Sequence, residues 1–212
     1  MVTTTIFATL VSKVADDLDR NDLNTQIQQA INEAVYYYSA YSFRFNNTVE
    51  VFQTINDVSQ YTSANGLPDN IMHIKAAQLY SDEIYNYTLE PIEYTEMLNL
   101  TSDVDTVAGM PSYWSWYNET FYIYPTPNQV LNISLSYKKT YPRMTQANDN
   151  NDFTNNAPDL IRARAEQQLC ATILKDMDGY QVYKTVADDL LKSYKKRFAN
   201  SQPPIDITPR MF

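Results

Sequence analysis

The residues of this 212-residue chain whose types and spacing could do chemistry are two acid pairs, Glu93 with Glu96 and Asp188 with Asp189. A glycosidase needs two carboxyls that face each other across a sugar. Glu93 and Glu96 stand at i, i+3 spacing on one predicted helix, and Asp188 and Asp189 are adjacent on another. Neighbouring acids on a surface helix are solvated side by side and flank nothing, which makes a cell-wall glycan hydrolase the weaker reading. The single Cys, Cys170, lies on a helical pattern with Ala165, Leu169, Ala171 and Ile173 and reads as a buried, inert thiol. The single His, His73, falls in the alternating run 71–79 and reads as a strand residue. One Cys and one His complete neither a four-ligand zinc site nor an internal disulfide. The run Asn148, Asp149, Asn150, Asn151, Asp152 has the acids and amides of a calcium loop but neither its turn glycine nor its bidentate Glu. With no Gly-rich phosphate loop and no Ser-His-Asp set either, the expectation is no catalytic residue, no metal and no cofactor.

Aromatic side chains could instead bind. Trp114, Trp116 and Tyr117 could stack on sugars, which gives the alternative of a host-surface glycan-binding module. Strand alternation puts Trp114 and Trp116 on one face, a geometry that serves a core equally well. Eighteen Tyr against eight Phe and two Trp favour rings that pack while keeping a solvated hydroxyl, as on half-buried sheet faces and at protein interfaces. The net charge of −9 argues against a reader of nucleic-acid sequence, which needs clustered Lys and Arg for the phosphates. The start lacks the basic residues of a secretory signal, and no apolar run approaches the ~20 residues of a membrane span. A soluble intracellular product with no membrane partner is expected. The Asn-x-Thr/Ser triplets at Asn46, Asn86, Asn99, Asn118 and Asn132 follow from an Asn- and Thr-rich composition and do not imply glycosylation.

The elements that would carry these residues form an α+β plan. Ile6, Phe7, Leu10, Val11, Val14 and Leu18 predict an amphipathic first helix that stops near residues 19–22. A second, capped by Asn21 or Asp22, has the stripe Leu23, Ile27, Ala30, Ile31, Ala34, Val35 and Tyr38. Tyr36, Tyr37, Tyr38 and Tyr41 crowd its end, so some rings lie off that stripe; Tyr36, Tyr37 and Tyr41, with Trp114, Trp116 and Tyr117, are the candidate subunit or tail interface. Residues 46–145 read as a β-rich insertion, a small antiparallel sheet or barrel. Its candidate strands include Val49 to Phe52, residues 61–65 and residues 71–79; Tyr87 to Leu89 ends at Pro91 before a short helix over 93–100. Residues 109–137 read as a hairpin in which Phe121 to Tyr124 pairs with Leu131, Ile133, Leu135 and Tyr137 through a Pro125, Thr126, Pro127 connection.

Two helices follow over 146–199 and complete a helical bundle with those of residues 1–45. Asn156 is the expected cap of the first, which carries Leu160, Ile161, Ala165, Leu169, Ile173 and Met177 inward until Gly179 stops it. The last presents Tyr183, Val186, Ala187, Leu190, Leu191, Tyr194 and Phe198 on one side, and its basic end, Lys195 to Arg197, complements the helix dipole. Residues 200–212 form an extended arm, since Pro203, Pro204 and Pro209 forbid a helix. Ile205, Ile207, Met211 and Phe212 make that arm apolar enough to dock on a neighbour.

In this order the elements resemble the head-to-tail adaptor family of short-tailed bacteriophages, also called tail accessory factors. Its recurring phrases resemble Leu67, Pro68, Asp69; Leu89, Glu90, Pro91, Ile92 before Tyr94 and Glu96; Gly109, Pro111, Tyr113; Ile123, Tyr124, Pro125, Pro127; and Pro158, Leu160, Ile161. The similarity spans residues 5–198 and rests on the order of the phrases. It implies a ring of about twelve copies below the portal protein that extends the DNA channel and gives a downstream tail protein its platform. The implied place is the virion neck, after synthesis in the host cytoplasm. The resemblance assigns portal docking to the arm, Pro203, Pro204, Ile205, Ile207, Pro209, Arg210, Met211 and Phe212, and implies that DNA slides past an acidic wall without sequence-specific binding.

Overall fold

A computed structural model describes residues 5–80, 87–102 and 108–198. The fold is mixed α+β with small sheets. In chain order the elements are α1 (Phe7–Asp17), α2 (Asn24–Ser39), β1 (Asn47–Gln53), β2 (Gln60–Tyr61), β3 (Ile71–Tyr80), β4 (Tyr87–Thr88), β5 (Glu90–Pro91), α3 (Tyr94–Ser102) and β6 (Ala108–Gly109). There follow β7 (Tyr113–Tyr117), β8 (Thr120–Tyr124), β9 (Thr126–Pro127), β10 (Asn132–Lys139), α4 (Asp152–Asn156), α5 (Pro158–Leu169) and α6 (Met177–Arg197). The chain divides into two compact units, one of Met1–Asn46 with Tyr141–Phe212 and one of Asn47–Thr140.

In the helical unit α5 is central, packed against α1, α2 and α6. Phe7, Leu10 and Val14 of α1, Ile27, Ile31 and Tyr38 of α2, and Leu160, Ile161 and Leu169 of α5 meet in one core. These are the stripes the three- and four-residue spacing predicts. An aromatic cluster ties the places where the chain leaves and re-enters this unit: Phe43 and Phe45 stack at 5.1 Å, and Phe153 meets Phe45 edge-on at 5.1 Å and Tyr141 at 5.3 Å. Phe198, just past α6, closes on Phe45 at 5.2 Å.

Three helix boundaries differ from the expectation, each for a local reason. Neither Asn21 nor Asp22 caps α2: Asp22 accepts two 2.8 Å hydrogen bonds from the Arg20 guanidinium, and Leu23 stands at the cap position with no side-chain cap. Asn156 does not cap α5, because it ends α4, whose cap is Asn151 in a reciprocal box with Thr154. Gly179 does not end the helix begun at Pro158. A π-helical turn, Cys170–Leu174, follows α5, and Lys175, at φ 56°, stops it. Asp176 then caps α6 by accepting from the Asp178 and Gly179 amides at 3.1 and 3.0 Å. A Cβ on Gly179 would fall 2.4 Å from Asp176 Oδ2, so the glycine lets this cap close. The wide turn also rotates the stripe, leaving Ile173 and Met177 exposed instead of inward.

The β-rich unit has two four-stranded sheets, β1-β10-β3-β4 and β2-β8-β7-β5, and the parallel pair β6-β9. The first sheet is antiparallel; in the second, β5 runs parallel to β7. Phe52, Tyr61, Leu79, Leu89, Phe121, Ile123, Ile133, Leu135 and Tyr137 share one buried core. The expected hairpin of residues 109–137 is not formed. β8 pairs with β7, while the strand of Ile133, Leu135 and Tyr137 joins β1 and β3 in the other sheet. Pro125 does end β8, but Pro127 pairs with Gly109 in β9 and the chain then crosses between sheets. The actual hairpin turn is Asn118 and Glu119, both left-handed at φ 48° and 57°, the geometry of a tight two-residue connection. Residues 61–65 are not a strand either: β2 ends at Tyr61, and Ser63–Asn65 form a capped 3-10 turn closed by Gly66 at φ 97°.

Candidate functional site

The acid pairs lie on exposed helix surfaces. Glu93 precedes α3 and Glu96 is in its first turn, both exposed, and Asp189 is held by Lys192 at 3.1 Å on the surface of α6. Asp149 turns inward on its own loop, accepting the Thr145 and Gln146 amides at 2.7 Å each, and these bonds hold its carboxyl below the usual range. Asp152 accepts the Tyr141 hydroxyl at 2.8 Å. Among the described residues no three His, Cys, Asp or Glu side chains are grouped to hold a metal. Cys170 is buried and His73 sits exposed on β3.

The aromatic candidates separate. Trp114 is a core residue and offers no ring to a partner: it is 6% exposed, lies over Phe121 at 5.7 Å and donates its indole N–H to the Leu89 carbonyl at 3.1 Å. Trp116 lies beyond the two residues that β5 pairs, Tyr113 and Trp114, and stays half-buried. Tyr117 is exposed and stacks on Tyr94 at 4.1 Å. A flat platform of Trp114, Trp116 and Tyr117 for a glycan is therefore not present.

The α2 end gives a more coherent surface. Tyr36 is 79% exposed, Tyr37 is exposed beside it and Tyr41 is half-buried. The Tyr37 and Tyr41 hydroxyls meet at 3.4 Å, the Arg164 guanidinium lies 4.1 Å over the Tyr37 ring and Lys195 lies 4.3 Å over Tyr41. Helices α5 and α6 thus each supply a cation to rings carried by α2, a rigid amphipathic patch of the composition found at protein interfaces. Sequence reasoning missed a second surface on β1, an edge strand whose Val49 and Val51 face solvent. Period-2 alternation was legible there, but with Phe52 out of step with two valines it did not say which side would be wet.

It also missed a buried acid. Glu166 of α5 is 3% exposed, and its Oε1 has no hydrogen bond. Burial and the facing Asp17 carboxyl push Glu166 up from 4.5 to about 8, against the pull of Arg162, whose guanidinium stands 3.6 Å from Glu166 and 3.4 Å from Asp17. Asp159, Cys170 and Tyr183 are the other titratable groups around it. This cluster joins α1, α5 and α6 and bears on the pH dependence of stability.

The arm residues Pro203, Pro204, Ile205, Ile207, Pro209, Arg210, Met211 and Phe212 lie outside the described residues. The model of the SU10 adaptor protein family matches residues 5–205. The chain belongs to that family. SU10 adaptor proteins are head-to-tail adaptors of phages, structural parts of the virion that associate with portal and tail components. Comparison with curated proteins gives no match. No described helix of this SU10 adaptor protein is long and apolar enough to cross a membrane.

Proposed function

We propose that the chain is the subunit of a ring of about twelve copies that fastens below the portal protein, extends the DNA channel and presents the platform on which a downstream tail protein assembles. The observation that carries this reading is the family match over residues 5–205, which spans both the helical and the β-rich unit. In the ring the helices of both chain ends act as one bundle and the β-rich insertion faces outward or towards the tail. Self-association in a closed ring is heterologous, one surface of a subunit meeting a different one of the next. The Tyr36, Tyr37, Tyr41 patch with Arg164 and Lys195, and the open β1 edge with Val49 and Val51, supply two different surfaces of the required kind. The net charge of −9 suits a conduit that DNA traverses without sequence-specific binding. The subunit is made in the host cytoplasm and ends in the virion neck.

The arm of residues 200–212 docks on the portal, its prolines keeping it extended and Ile205, Ile207, Met211 and Phe212 acting as anchors. Removing residues 201–212 tests this. Helix α6 ends at Arg197 and its last aromatic contact is Phe198, so the truncated chain is expected to keep the unfolding temperature of the full chain while losing portal attachment in a pull-down. Portal binding that survives the truncation would show that the arm is not the dock.

A further inference from the structure

The β-rich unit carries a groove of about 470 Å³, a volume within the ordinary range of ligand sites. It opens between the turn that leads into β3 and the tip of the β7–β8 hairpin, and it is lined by Trp116, Asp69, Glu119 and the hydroxyl-bearing Thr62, Thr120 and Thr140. Two features of the lining bear on what it could bind. Its two carboxylates come from segments distant in sequence, and neither has a hydrogen bond or ion pair among the described residues. Among the described residues no Lys, Arg or His lines it. By contrast, Asp22 is paired with Arg20 and Asp189 with Lys192.

A phosphate or any other anion would meet only repulsion here. An uncharged saccharide could stack on the indole and bond the hydroxyls, but it would make no use of the negative charge of the two carboxylates. A guanidinium satisfies all three kinds of group at once: its plane stacks on an indole, its N–H fork matches a carboxylate, and its charge offsets the pair. Lysine would supply the charge but neither the plane nor the fork. We propose that this groove is the docking pocket for an arginine presented by a loop of a partner protein. That the partner is another component of the virion rests on the adaptor reading; the preference for guanidinium does not.

The test uses the full chain, ¹⁵N-labelled, and follows the Trp116 indole N–H by NMR during titration with the peptide acetyl-Gly-Arg-Gly-amide. The expected result is a saturable shift of Trp116 and of the Asn118 and Thr120 amides. Replacing the arginine by isosteric, uncharged citrulline should weaken binding at least about tenfold, since it removes the charge-assisted bonds. The variant Asp69→Asn with Glu119→Gln, at two exposed positions that preserve shape, should weaken the arginine peptide to the same degree, and so should a roughly tenfold rise in salt. Equal binding of the arginine and citrulline peptides, or no shift with either, would overturn the proposal. A shift of the same residues with maltotriose, insensitive to salt, would replace it with a saccharide site. The titrations involve no portal, so their failure leaves the ring reading standing, and failure of the ring leaves the guanidinium preference standing.

Discussion

Phe153→Ala is expected to destabilise the helical unit by about 3–5 kcal/mol, the range for removing a fully buried aromatic ring. Phe153 is 0% exposed and its ring contacts Phe43, Phe45 and Tyr141. Those partners belong to the stretch that leaves α2 and to the stretch that returns after β10, and Phe45 also holds Phe198 at the end of α6. The truncation therefore leaves a cavity where three separate parts of the chain converge, with little room to collapse. Phe153 also sits in the short α4 that Asn151 caps, so its backbone is fixed on both sides. Urea unfolding followed by circular dichroism checks this. A loss of less than about 1 kcal/mol, the scale of a tolerated core swap, would mean that the aromatic cluster does not clamp the chain crossings.

Glu166→Gln is expected to stabilise the protein above neutral pH and to remove a pH dependence. The folded-state value of about 8 lies above the ordinary 4.5, so between the two the folded chain holds a proton that the unfolded chain has released. Glu166 thus contributes its full stability below about pH 4.5, and that contribution is lost as the pH rises through about 8. Each pH unit within this window weakens the fold by up to about 1.4 kcal/mol. Once ionised, the carboxylate is buried opposite Asp17, with the Arg162 guanidinium beside both. Glutamine keeps the neutral shape at every pH. The variant should match the parent near pH 5 and exceed it by on the order of 4 kcal/mol near pH 9. Thermal unfolding across that range decides it; parallel pH profiles for parent and variant would show that Glu166 does not hold the proton.

How far the sequence disclosed this structure depends on whether the signal was local. The stripes of α1 and α2 came through intact because a 3.6-residue period specifies both the helix and its inward face. The inward set of β10, Ile133, Leu135 and Tyr137, was equally plain from its alternation, yet its partner was not. The true hairpin turn, Asn118 and Glu119, adopts left-handed backbone without a glycine to announce it, whereas the prolines at 125 and 127 suggested a turn where the chain changes sheets. The π-helical turn was hidden because Cys170 to Leu174 has ordinary helix-forming residues; its presence shows only in Lys175 at positive φ and in the exposure of Ile173 and Met177.

The candidate surfaces divide along the same line. Tyr36 and Tyr37 lay off a legible stripe, so their exposure could be read from the helical period alone. Whether Trp114 or Trp116 faced solvent depended on how far β5 extends along β7, a tertiary fact. The burial of Glu166 required α1 and α6 to close over α5, and the groove required the β3 turn and the hairpin tip to meet, so neither had a signal in any single segment. The family resemblance, by contrast, rested on the order of many weak phrases along the chain, which is what a match over residues 5–205 also measures.

The central claim is that this chain closes a ring on the portal. Native mass spectrometry of the purified chain mixed with the portal ring of the same virus tests it most directly. The account predicts one complex whose added mass corresponds to about twelve copies of the chain. Free portal beside unassembled chain, at concentrations where both are folded, would contradict it.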